Sequence, residues 1–185
     1  MDGPMKHEHY SMEKLAIWVL LASECFLFGT LMALYILYKD APRAALLLQV
    51  DQATVATMIL ILSSVSMAFA SLGCEKKDSR LFRGGLGGVL LLGTLFLFIQ
   101  YWEYRHLFQE GLTFSSSVFA SSFYVLTGCH GLHVLLGLLW IGTLFISSFL
   151  KGTSYRPSAV TELAGLYWHF VDLVWILIFT LVYLC

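Results

Sequence analysis

The residues able to do chemistry are few, and they stand where charge is scarce. His130 and His133 lie in TGCHGLHVLLG (Thr127–Gly137), inside Leu112–Leu150, a run of 39 residues without Asp, Glu, Lys or Arg. Their i,i+3 spacing puts both imidazoles on one face of a helix. Gly128 and Gly131 lie alongside and leave room for another backbone to come close. Glu24 interrupts the apolar run Leu15–Tyr38, and His169 and Asp172, again three apart, stand in Leu163–Cys185. Such groups are costly in hydrocarbon unless they face protein, so these faces should point at a partner.

Two chemistries fit. A buried cluster of Glu24, His130, His133, His169 and Asp172 in one layer could relay protons. The same groups could instead only tie helices together, through hydrogen bonds worth well under ~1 kcal/mol each in membranes. Both readings stay open, for Glu24 above all. Metal chemistry is disfavoured. Glu103 and His106 form an ExxH, but a di-iron bundle needs two such helices and two further glutamates. His130 and His133 share one helix and cannot take opposite faces of one haem, although His130 with His169 across a bundle could. No CxxCH, P-loop, GxSxG or HExxH is present, so neither a catalytic residue nor a metal site is expected on this chain. Cys25, Cys74, Cys129 and Cys185 lie in apolar runs without a CxxC and read as buried thiols.

The elements that must position these groups are membrane helices. Of 185 residues 58% are hydrophobic and 12% charged, against about 25% charged in soluble domains. A bilayer crossing takes about 20 apolar residues. Five stretches qualify, at about 15–38, 52–74, 84–106, 117–150 and 163–185. The expected fold is an all-α integral membrane bundle of five transmembrane helices, one domain over 1–185. The run after Met1–Lys14 is too long for a signal peptide and lacks an AxA-like cleavage site, so it reads as a retained span. Net charge is −1, which offers nothing to nucleic acid.

Lys and Arg orient the bundle. Lys6, Lys14, Lys76, Lys77, Arg80, Arg83, Lys151 and Arg156 fall on one side, and Lys39, Arg43 and Arg105 on the other. Eight against three places the amino terminus in the cytoplasm. Tyr101, Trp102 and Tyr104 read as an interfacial belt at one end of the third helix. Gly84 and Gly88 make a GxxxG there, read as a close helix crossing.

Several long motifs in order resemble subunit III of the haem–copper terminal oxidases. Trp18–Pro42 (WVLLASECFLFGTLMALYILYKDAP) is similar to the family's segment with a buried carbodiimide-reactive glutamate, at the position of Glu24. IQYWEYRHLF (Ile99–Phe108) resembles its Q-x-x-E-Y segment, giving Gln100, Glu103 and Tyr104. TGCHGLHVLLG resembles TG-x-HG-x-HV-x-x-G. Glu162 and YWHFVDLVW (Tyr167–Trp175) resemble its last-helix motif, giving Trp168, His169, Asp172 and Trp175. The family also has a seven-helix form, of which this chain lacks the first two helices. The resemblance implies a multi-pass protein of a bacterial inner membrane. It implies an accessory subunit of a proton-pumping oxidase that packs on subunit I, contacts subunit II and binds phospholipid, with haem and copper in the partner subunits. It implies an intramembrane polar network of Glu103, His130, His133, Glu162, His169 and Asp172, and support of proton uptake and complex stability. Cytochrome c and quinol oxidases fit equally. From the residues alone, a stand-alone proton-coupled transporter is the alternative.

Overall fold

The computed structural model describes residues 4–39, 48–150 and 158–184. Arg43, Lys151, Arg156, Cys185 and Pro42 of the Trp18–Pro42 motif therefore lie outside the described residues. What is described is all helical: α1 Pro4–Leu37, α2 Val50–Glu75, α3 Ser79–Gln109, α4 Val118–Leu150 and α5 Ser158–Phe179. A π-helical turn, Thr180–Leu184, closes α5. Among the described residues five helices are long and apolar enough to cross a membrane.

The helices outrun the apolar stretches. α1 begins at Pro4 rather than near 15, α3 at Ser79 rather than 84, and α5 at Ser158 rather than 163. Hydropathy senses only the hydrocarbon-facing part, whereas a helix continues through the interface until something stops it. At α3 that signal is Asp78, whose carboxylate accepts from the backbone N–H groups of Arg80 (2.9 Å) and Leu81 (3.2 Å). The turn before it is closed by Lys77 at φ 57° and by Asp78 N–H donating to Gly73 O at 2.9 Å. Just past the end of α3 stands Gly111, φ 83°, a conformation open to glycine.

Lipid tails are as apolar as leucine, so shape and hydrogen bonds hold these helices together. α2 and α3 make the closest crossing. A Cβ on Gly85 would sit 2.5 Å from Ala70 N and 2.7 Å from Ser66 O. Gly88 would meet Ser66 Oγ at 2.9 Å, whereas Gly84 has nothing within 4 Å. Of the expected pair, Gly88 stands at this crossing and Gly84 looks away from it, while the neighbouring Gly85 makes the backbone approach. Large rings fill matching sockets elsewhere. Trp168, fully buried, lies against Gly93 of α3 and Gly137 of α4, where added Cβ atoms would come within 2.9 Å of its ring.

α5 is the central helix and α1 the peripheral one. Half of the most apolar window of α5 is buried inside the chain (50%), against 11% for α1. α1 seats Leu21, Phe28 and Tyr35, seven residues apart, as one narrow stripe against α4 and α5. The belt is narrower than expected. Tyr101 and Trp102 are exposed, but Tyr104 turns inward and shares a hydrogen with Thr127 Oγ1 at 2.8 Å. Cys25 is exposed on α1, not buried, while Cys74 is buried and Cys129 half-buried.

Candidate functional site

Glu24 and His133 meet. Glu24 Oε2 lies 3.0 Å from His133 Nε2, with both side chains mostly out of contact with the surroundings (18% and 12% exposed). The other ring nitrogen, Nδ1, lies 2.7 Å from Cys129 O. A carbonyl only accepts, so Nδ1 carries a hydrogen. The Glu24–His133 contact then holds a single shared proton. Either a neutral carboxyl donates to Nε2, or an imidazolium donates to a carboxylate. Phe28 stands edge-on to His133 (centroids 5.1 Å), and Tyr167 OH donates to His133 O at 3.1 Å. One turn of α4 therefore gathers α1 and α5.

His130 does not join that pair. It is fully buried in an aromatic cage of Trp175 (4.9 Å, 30°), Phe96 (5.7 Å, 89°) and Phe28 (6.4 Å, 66°). Neither ring nitrogen has a hydrogen-bond partner among the described residues.

His169 and Asp172 belong to a second site, the α2–α5 seam. His169 Nδ1 lies 2.6 Å from Ser64 Oγ. Asp172, 6% exposed, lies beside the same serine, but neither of its oxygens makes a hydrogen bond of good geometry. On either side Trp168 Nε1 donates to Ser63 Oγ (3.1 Å) and Trp175 Nε1 to Thr57 Oγ1 (3.0 Å). Three hydroxyls of α2 thus answer three ring nitrogens of α5. The single polar layer expected from depth is divided: Glu24 and His133 form one site, His169 and Asp172 another, and His130 stands apart in its cage.

Glu103 is buried nearer the end of α3. Tyr183 OH lies 2.9 Å from both of its carboxylate oxygens. Tyr183 sits in the π-helical turn, whose wider winding rotates the last side chains relative to an α-helical continuation. Glu103 is thereby engaged by a phenol, away from His106. One turn earlier, Gln100 Nε2 donates to Thr127 O at 2.7 Å and its amide lies over Gly131, where a Cβ would meet Oε1 at 2.9 Å. Gly128 has only ordinary contact, Tyr104 OH at 3.6 Å. Glu162 pairs with Lys14 of α1 at 2.7 Å. Among the described residues no three His, Cys, Asp or Glu side chains come together to hold a metal ion.

Ser63, Ser64, Thr57, Tyr167 and Tyr183 were not singled out from the sequence. Hydroxyls in membrane helices usually bond their own backbone, as Ser63 also does to Leu60 O at 2.7 Å. Only a register between α2 and α5 reveals their second partner.

Five membrane-length helices with a buried carboxyl–imidazole pair between the first and fourth define a multi-pass helical membrane protein. Residues 14–185 match the family described as cytochrome c oxidase subunit III. The chain is 40% identical to the cytochrome c oxidase subunit 3 of Bacillus sp. (strain PS3), over 92% of this chain and 84% of the relative. It is 35% identical to the cytochrome bo(3) ubiquinol oxidase subunit 3 of Pseudomonas putida, over 96% and 88%. It is 34% identical to the quinol oxidase subunit 3 of Bacillus subtilis (strain 168), over 99% and 93%. The chain belongs to the cytochrome c oxidase subunit III family.

Proposed function

We propose that this chain is the accessory subunit III of a proton-pumping haem–copper terminal oxidase in a bacterial inner membrane. It packs on subunit I, meets subunit II and membrane phospholipid, and supports proton uptake and the durability of the complex. Haem and copper reside in the partner subunits, and electron entry is built there. The amino terminus lies in the cytoplasm, on the side of Lys14, Lys76 and Lys77.

The observation that carries the proposal is the family match through residues 14–185, to relatives from both oxidase types. The Glu24–His133 pair adds a physical reason for proton activity. It holds one proton between two basic atoms 3.0 Å apart, inside a membrane span. Mild detergent extraction tests the proposal. The chain should copurify with haem- and copper-bearing subunits in a complex that reduces oxygen, and should carry no haem when separated. Stoichiometric haem on the separated chain, or proton transport by it alone in liposomes, would overturn the assignment, the latter in favour of a stand-alone transporter.

A further inference from the structure

His169 stands about 9 Å along α5 from Leu163, where the apolar stretch begins, inside a hydrocarbon layer of about 30 Å, yet its side chain is exposed on the chain surface. An imidazole so placed is costly against lipid and belongs beside water or protein. A cavity of about 260 Å³ reaches it. The cavity is lined by the end of α2 and the first turns of α5, with Glu75 and Glu162 nearest the helix ends, Ser71, Cys74 and Thr161 beside them, and His169 furthest along α5. It has room for several waters. Its walls ask for them: Thr161 is 1% exposed and its hydroxyl has no partner among the described residues.

Beyond His169 the polar groups continue inward. Ser64 Oγ lies 2.6 Å from Nδ1, and Asp172 lies beside Ser64 with both oxygens short of a well-formed hydrogen bond. We infer that the α2–α5 cleft is a water-filled inlet through which Asp172 exchanges its proton, by way of His169 and Ser64, with one membrane face only. That face is the one carrying the α2–α3 turn. A hydrated proton in the cleft passes to one ring nitrogen of His169, leaving water, as the other ring nitrogen releases its proton to Ser64 Oγ. The serine's own proton passes to the Asp172 carboxylate. Only N–H and O–H bonds change, and the imidazole, left in its other tautomer, is reset by trading its N–H with cleft water, so that the next transfer carries a fresh proton inward. Near the helix ends, the Glu162 carboxylate is held by Lys14 of α1, 2.7 Å away; Glu75 is the second anion there, contributed by α2.

The test uses the intact complex in phosphatidylcholine vesicles. It needs no turnover, so its outcome is separate from the oxidase assignment. With Cys25 and Cys74 replaced by Ala, a membrane-impermeant methanethiosulfonate should label Ser71→Cys from one face at least ten times faster than Met58→Cys, whose position faces outward on the same helix. Infrared difference spectra, with the Asp172 band identified by its loss in Asp172→Asn, should show hydrogen–deuterium exchange slowed at least ten-fold by Ser64→Ala. Ser64→Thr, which keeps the hydroxyl, should restore it. Equal labelling at the two positions would overturn the inlet. Exchange at the unaltered rate in Ser64→Ala, or slowed equally in Ser64→Thr, would overturn the relay.

Discussion

Trp175 lies over His130 with ring centroids 4.9 Å apart and planes 30° from parallel, while its indole N–H reaches Thr57 at 3.0 Å. One side chain of α5 therefore touches α4 through its face and α2 through its edge. His130 contributes shape to this contact and no hydrogen bond, whereas His133, one turn away, contributes a hydrogen bond to α1.

That difference makes the two histidines unequal to substitution. His130→Leu keeps an apolar group of similar size in the cage and should change the stability of the complex by less than about 1.5 kcal/mol. His133→Leu leaves Glu24 unpaired and should cost about 1–3 kcal/mol. Thermal unfolding in detergent measures both. Equal losses would mean that His130 has a partner beyond this chain.

Glu24→Gln retains a donor for His133 Nε2 and should assemble normally, while slowing proton uptake or shortening the working life of the oxidase at neutral pH. Glu24→Ala should in addition lower the melting temperature. Turnover to inactivation and a melting curve on the same samples separate the two effects. Unchanged turnover, uptake and lifetime in Glu24→Gln would reduce Glu24 to a packing residue.

Tyr183→Phe removes the donor to both oxygens of a buried Glu103 and should destabilise the chain by about 1–3 kcal/mol. Glu103→Gln in the same background should recover part of the loss, because a neutral amide is cheaper to leave unpaired than a carboxylate. A double-mutant cycle on melting temperature reads the coupling. Additive losses would sink the pairing.

At the α2–α3 crossing the two adjacent glycines should behave oppositely. Gly85→Ala drives a methyl into the Ala70 backbone and should cost about 1–3 kcal/mol or block assembly. Gly84→Ala, with nothing within 4 Å, should be near neutral. Yield of assembled complex and melting temperature are the readouts. A severe Gly84→Ala phenotype would locate a partner helix on that face.

The spans were legible because five long apolar runs separated by charged turns admit little else. The ends were less so, since Asp78 caps α3 more than one turn before the apolar stretch begins. Spacing placed His130 and His133 on one helix and His169 and Asp172 on another. Depth alone then suggested a common layer, but helical phase decides the partner. A step of three residues turns about 60° away from a full circle of the helix. This sends His133 to Glu24 and leaves His130 facing Trp175. Tyr183 was illegible for a related reason: an α-helical reading of the last turn aims it elsewhere, and only the π turn brings it to Glu103. Of the Gly84–Gly88 pattern only Gly88 stands at the crossing within this chain, because GGLGG offers several small pairs and sequence alone does not choose among them.

The sparse seating of α1 bears on how the molecule is put together. Among the described residues α4 and α5 hold it by three buried side chains, Leu21, Phe28 and Tyr35, with Ile17, Leu31 and Met32 partly buried beside them, by one carboxyl–imidazole bond and by the Lys14–Glu162 pair. Of the five helices it is the one least enclosed by the rest of the chain, and the proton between Glu24 and His133 is shut away only while that helix is seated.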